Sequence, residues 1–125
     1  MKTAFIGLGG MGHGMAANLQ AAGLLSAVYN RTHEKADAFG REYDVKAVSD
    51  VGDIAAEAEA IVICVSADDD VLAMVDALLP GLNDQHIVID CSTIASDTAR
   101  EAARRVGEKG AGFVDAPVSG GTEGA

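Results

Sequence analysis

A doubly wound parallel α/β sheet is the fold this sequence predicts, and three observations predict it. Short apolar runs alternate with segments of helical periodicity along all 125 residues. One run, Ala60-Ile61-Val62-Ile63-Cys64-Val65, is apolar at every position, as a strand buried on both faces of a parallel sheet must be. Hydrophobic residues make up 49% of the chain but aromatics only 4%, with no Trp. The core is therefore built of Ala, Val, Ile, Leu and Met, which suits strands packed under helices. A chain of this length folds as one domain, residues 1–125, and buries about two thirds of its surface.

Each element follows from local signals. Thr3 to Ile6 reads as a short buried strand. From Met11 the pattern turns helical, with Met11, Met15 and Leu19 on one face and Ala16, Ala17 and Ala22 beside them; Gly23 closes that helix. Leu25 to Tyr29 is the second strand. Thr32 caps a helix to about Phe39, where Gly40 weakens it. Val45 to Val48 is a third strand, and Ser49 or Asp50 caps a helix over Ile54 and Ala55 to about Glu57. After the apolar fourth strand, Asp68 to Asp70 start a helix carrying Val71, Val75, Leu78 and Leu79, which Pro80-Gly81 stops. His86 to Asp90 is the fifth strand, a helix runs from Ser96 to Glu108, and Gly112 to Asp115 is the sixth strand, ended by Pro117. Right-handed crossovers make 3-2-1-4-5-6 the natural order of these strands, a Rossmann-type sheet. Its ligand crevice lies at the carboxyl ends of the first and fourth strands.

The stretch at that crevice is Gly7-Leu8-Gly9-Gly10-Met11-Gly12. Gly7, Gly9 and Gly12 have the spacing G-x-G-x-x-G between a strand and a helix, the context that gives the motif its weight. Gly7 permits the tight turn, Gly9 lets a pyrophosphate approach the backbone, and Gly12 lets the helix pack close to the strand. The helix N-terminus then offers free N–H groups and a positive dipole end.

At the end of the second strand an NAD site usually carries Asp or Glu for the ribose 2′-hydroxyl. Here the residues are Asn30-Arg31-Thr32, with Lys35 one turn on. No carboxylate repels a phosphate there, and Arg31 offers a planar fork for one, so the expected cofactor is NADP ahead of NAD. The plainer reading, solvated cations and a Thr32 cap, is disfavoured by the offset of these residues from the glycines. Val65-Ser66, after the fourth strand, is expected to border the same crevice.

Other features point less far. Asp68, Asp69 and Asp70 invite a metal, but consecutive helical side chains diverge by about 100°, so carboxylates favoured at a helix N-terminus explain them better. Cys64 and Cys91 each end an apolar run and read as small buried residues in a reducing compartment, with no disulfide or zinc site. His13 is expected to be exposed, and no His has a Ser or Cys partner for a triad. A net charge of −10 and a pI near 4.4 argue against nucleic acid or an anionic membrane as partner. With no apolar run of membrane-spanning length and no leader ahead of the first strand, the expected location is the cytoplasm.

Four segments taken together carry a resemblance. Gly7 to Gly12 with Met15-Ala16-Ala17-Asn18-Leu19, then Asn30-Arg31-Thr32, then Asp90-Cys91-Ser92-Thr93, then Asp115-Ala116-Pro117-Val118-Ser119-Gly120-Gly121, resemble the β-hydroxyacid dehydrogenases in both content and order. That family includes 3-hydroxyisobutyrate dehydrogenase, tartronate semialdehyde reductase and, more distantly, 6-phosphogluconate dehydrogenase. The resemblance implies that Thr93 lies near the nicotinamide and that Ser119, Gly120 and Gly121 hold the carboxylate of a small substrate. It implies reversible hydride transfer between NAD(P) and a short 3-hydroxy acid or its semialdehyde. Family members also carry a Lys general acid/base on a helix beyond the cofactor domain. Lys2, Lys35, Lys46 and Lys109 are all placed wrongly for it, so no catalytic residue is assigned within this chain. The chain is then expected to be the cofactor domain of a longer enzyme, inactive alone, whose complete form is a homo-oligomer through a helical second domain. Two other readings compete: a non-catalytic dinucleotide-binding or sensing module, and a methyltransferase, which Asn30 disfavours because its cofactor ribose wants an acidic residue there.

Overall fold

The computed structural model describes residues 1–118. Six strands, β1 (Thr3–Ile6), β2 (Leu25–Tyr29), β3 (Lys46–Ala47), β4 (Ala60–Ile63), β5 (Ile87–Asp90) and β6 (Gly112–Asp115), form one parallel sheet. Their order is β3-β2-β1-β4-β5-β6, the expected Rossmann-type arrangement. The strand period of two divides the core. Ala4, Ile6, Ala27, Ile61 and Ile63 point to one face, while Phe5, Val28 and Val62 point to the other. The first face is covered by a 3₁₀ helix (Val51–Ala56), α3 (Asp68–Leu78) and α4 (Ser96–Gly107), through Ile54, Val71, Val75, Leu78, Ala102 and Val106. The second is covered by α1 (Gly10–Ala21) and α2 (His33–Tyr43), through Ala16, Ala36 and Phe39.

Several local expectations are corrected. The buried residues of α1 are Gly12 and Ala16, not Met11, Met15 and Leu19, which are half-buried. A Cβ on Gly12 would stand 2.0 Å from the Gly7 carbonyl oxygen, so the helix rests on its smallest residues and its bulkier ones lie to the side. Helix α2 runs through Gly40 to Tyr43 and ends on Asp44 in the left-handed conformation. Gly40 serves a close contact there, since a Cβ would meet the Val45 carbonyl oxygen at 2.7 Å. Strand β3 keeps only two residues, and the segment after it is a 3₁₀ helix capped by Asp50, whose Oδ1 accepts from Gly52 N at 2.9 Å. Strand β4 stops at Ile63, leaving Cys64 and Val65 to the loop. His13 is half-buried, edge-on to the rings of Phe39 and Tyr43 at 5.3 and 5.8 Å. His86 precedes β5; its Nδ1 accepts from Asn83 N, so its Nε2 donates to the Ala55 carbonyl at 2.8 Å. No helix among the described residues is long and apolar enough to cross a membrane.

Charge ties α3 to α4. The Glu101 carboxylate accepts from Arg104 and Arg105, and Arg105 reaches Asp76 on α3 at 2.9 Å. Hydrogen bonds from Arg104 and then Arg105 hold the Glu101 pKa down at about 2, below its ordinary 4.5. A depressed carboxylate stabilises the fold above its unfolded pKa, and that stability is lost as pH falls through the folded value. Glu101→Gln is therefore expected to melt below the wild type at pH 7. The gap should close between about pH 4.5 and pH 2 in melts followed by circular dichroism.

Candidate functional site

The carboxyl ends of β1, β2 and β4 meet at one crevice, because the chain leaves β1 and β4 in opposite directions along the sheet. Gly7 makes the turn out of β1 with φ +103°, a backbone that side chains rarely adopt. Its N–H donates to the Tyr29 carbonyl at 2.9 Å, and a Cβ there would fall 2.0 Å from the Cys64 carbonyl oxygen. The glycine thus lets the ends of three strands converge.

Helix α1 begins immediately after. Gly9 is its N-cap residue, and His13 makes the first intrahelical bond, to the Gly9 carbonyl at 2.7 Å. The amides of Gly10, Met11 and Gly12 are left without an intrahelical acceptor. No acidic residue occupies the first turn of α1, and a Cβ added at Gly9 would meet nothing within 4 Å. The arrangement is an open backbone with a positive helix end beside it, which is what an anion requires.

Asn30 has a structural task that the sequence did not disclose. Its Oδ1 accepts from Leu8 N at 2.8 Å and its Nδ2 donates to the Thr32 carbonyl at 3.0 Å. One side chain thus locks the glycine loop to the turn after β2. Leu8, expected among the cofactor-binding residues, has its amide engaged by Asn30 and its side chain buried in the core with Phe5 and Ala16. Thr32 sits at the N-cap position of α2 but makes no side-chain cap bond.

A cavity at this crevice is lined by Gly7, Gly9, Asn30, Arg31, Thr32, Lys35, Val65 and Ser66, which the sequence had singled out. Tyr29, Cys64, Asp70 and Met74, which it had not placed at the crevice, complete the lining with Ile6. Asp70 and Met74 are one helical turn apart on α3 and therefore share a face. That face reaches the crevice only through tertiary packing. Asp70 Oδ1 lies 3.4 Å from Arg31 Nη1. Gly10, Met11, Gly12 and Thr93 do not line this cavity; Thr93 is exposed after β5. Ser119, Gly120 and Gly121 lie outside the described residues.

Beyond β4 the walls are held by a second small network. Val65 N donates to Ser92 Oγ at 2.9 Å, and Ser92 N donates to Asp90 Oδ1 at 3.0 Å. Asp90 is fully buried, and its Oδ2 has no hydrogen-bond partner among the described residues. Burial pushes its carboxyl above the usual carboxylate range, and the Asp115 charge in register on β6 adds to this. Burial likewise raises the Cys64 thiol, and pushes Cys91 up to about 11, so neither is a thiolate nucleophile at neutral pH. The three aspartates opening α3 part ways: Asp68 Oδ2 accepts from Ala95 N and Thr98 Oγ1, Asp69 is exposed, and Asp70 faces the crevice.

The family model for the NAD binding domain of 6-phosphogluconate dehydrogenase matches residues 2–125. The chain belongs to that family. An uncharacterised oxidoreductase of Shewanella frigidimarina is 39% identical over 127 residues, covering 99% of this chain and 44% of that protein. The NAD-dependent L-serine dehydrogenase of Pseudomonas aeruginosa is 36% identical over 127 residues, covering 99% and 42%. Among solved structures, Mycobacterium tuberculosis 3-hydroxyisobutyrate dehydrogenase with L-serine superimposes with a TM-score of 0.91 at 31% identity, over 99% of this chain and 42% of that one. Psf3 in complex with NADP+ and 2-OPP gives a TM-score of 0.89 at 35% identity, over 98% and 44%. This NAD-binding domain is thus similar to 3-hydroxyisobutyrate dehydrogenase-like oxidoreductases, and it spans less than half the length of these relatives.

Proposed function

We propose that this domain binds NADP(H) in the crevice between β1 and β4. It would be the cofactor domain of an oxidoreductase that moves hydride between NADP and a short 3-hydroxy acid or its semialdehyde. The observation that carries this reading is the gathering of Arg31, Thr32 and Lys35 in one cavity with the open backbone of Gly9. The amides of Gly10, Met11 and Gly12 would hold the pyrophosphate, and Arg31, Thr32 and Lys35 the ribose 2′-phosphate. Val65 and Ser66 would border the ribose, and Thr93 would stand on the nicotinamide side. Ser119, Gly120 and Gly121 would hold the substrate carboxylate. The cofactor supplies the hydride chemistry when bound; this domain binds and orients it.

The relatives support this reading unevenly. One structural neighbour carries NADP+, whereas the Pseudomonas aeruginosa relative is NAD-dependent. NADP is preferred here because of the cations at the end of β2. L-serine, named with two relatives, is itself a short 3-hydroxy acid. The general acid, the remaining substrate pocket and a homo-oligomer interface would belong to a second domain in the complete enzyme. A cytoplasmic setting belongs to the same reading.

Calorimetric titration of the 125-residue chain with NADP+ and NAD+ tests this. NADP+ is expected to bind about tenfold or more tightly than NAD+. Arg31→Ala should lower NADP+ affinity by about tenfold and leave NAD+ within about threefold. Equal binding of the two cofactors removes the NADP preference, and binding of neither overturns the dinucleotide site.

A further inference from the structure

We propose that Asp70 narrows the cofactor preference of this domain by competing with the cofactor's 2′-phosphate for Arg31. The proposal rests on the NADP reading above and adds a residue that faces the site from the opposite wall. Arg31 leaves the end of β2, and Asp70 stands in the first turn of α3, 39 residues away in sequence. Both line the crevice, and the 3.4 Å contact between Arg31 Nη1 and Asp70 Oδ1 closes across it. Arg31 is 83% exposed and so has no packing that fixes it in place; Asp70 is its ion-pair partner among the described residues.

The energetics favour exchange. An exposed ion pair at this separation contributes little, because water and salt screen it and two side chains lose freedom to form it. A phosphate dianion offers the guanidinium a bidentate, charge-assisted contact that is stronger. Lys35, on the same wall, adds a second cation that the described ion pairs leave unengaged. The dianion therefore displaces Asp70 and leaves that carboxylate near the new charge, at a cost NAD does not meet. The carboxylate thus narrows the preference for NADP that Arg31 creates.

The test is calorimetry of the 125-residue chain with NADP+ and NAD+ on four proteins: wild type, Asp70→Asn, Arg31→Ala and the double variant. Asp70→Asn is expected to raise NADP+ affinity about three- to fivefold and to leave NAD+ within about twofold. The gain should shrink in high salt and vanish in the Arg31→Ala background. Unchanged NADP+ affinity in Asp70→Asn overturns the proposal. So does a gain that persists without Arg31, which would make Asp70 a general repulsive charge. A fall in NAD+ affinity would make Asp70 a ribose ligand and also overturns it. Failure of the NADP reading shows separately, as an Arg31→Ala variant whose NADP+ to NAD+ ratio matches the wild type.

Discussion

Gly7→Ala and Gly12→Ala are each expected to cost more than about 3 kcal/mol of stability, lowering the melting temperature by more than about 10 °C. Overpacking a core with a methyl group costs about 1–3 kcal/mol when neighbouring side chains can turn aside. Neither site allows that. The new Cβ at Gly7 meets the Cys64 carbonyl oxygen at 2.0 Å, and the one at Gly12 meets the Gly7 carbonyl oxygen at 2.0 Å. Both obstacles are backbone, fixed by the β1–β4 pairing and by the turn between β1 and α1. Gly7 carries the further burden of φ +103°, where an L side chain adds about 1–2 kcal/mol. Against a total stability of about 5–15 kcal/mol, either loss leaves a marginal fold. Gly107→Ala is the control: it lies on α4 with nothing within 4 Å of its Cβ, and it is expected to hold or raise the melting temperature. A Gly7→Ala protein melting within about 3 °C of wild type would mean that the strand ends do not converge as described.

The two glycines also show what was legible in the sequence. Topology was, because most of the strands are short, largely apolar runs bounded by turn residues, and right-handed crossovers leave few ways to order six of them. The packing face of α1 was not. Periodicity weighs bulk, and Met11, Met15 and Leu19 form the bulky stripe. Yet the closest approach of helix and sheet selects the smallest side chains, Gly12 and Ala16. Residue size would have been the better guide at a helix that must reach the strand ends.

Part of the candidate site followed from motif offsets alone: Gly7, Gly9, Arg31, Thr32 and Lys35 gather because the β-α turns of a parallel sheet open on one edge. The rest depends on pairs distant in sequence. Asn30 meets Leu8 across 22 residues, Val65 meets Ser92 across 27, and Arg31 meets Asp70 across 39. Nothing local marks such partners. Asp68, Asp69 and Asp70 look alike in the sequence, and only the packing of α3 against α4 and the crevice gives them different tasks. Asp90 was named only as part of a motif, since its burial is a property of the assembled sheet.

Gly9→Ala should separate binding from folding, with NADP+ affinity falling ten- to hundredfold while the fold loses no more than about 1 kcal/mol. Nothing inside the protein requires a glycine at this position. Its φ of −67° suits any residue, and a Cβ would meet no atom within 4 Å. The small stability loss is that of replacing glycine at a helix N-cap. What the methyl group would obstruct is the space beside the amides of Gly10, Met11 and Gly12. A phosphate displaced from them forfeits charge-assisted hydrogen bonds of about 1.5–3 kcal/mol each. The three glycines of one motif thus answer to two constraints. Gly7 and Gly12 are demanded by the chain itself, so their variants should fail in a melting experiment. On the proposed NADP reading Gly9 answers to a ligand, so its variant should melt almost as the wild type and fail in the calorimeter. A Gly9→Ala protein that binds NADP+ as the wild type does would show that no phosphate passes over this backbone, and the dinucleotide would have to be placed elsewhere on the sheet.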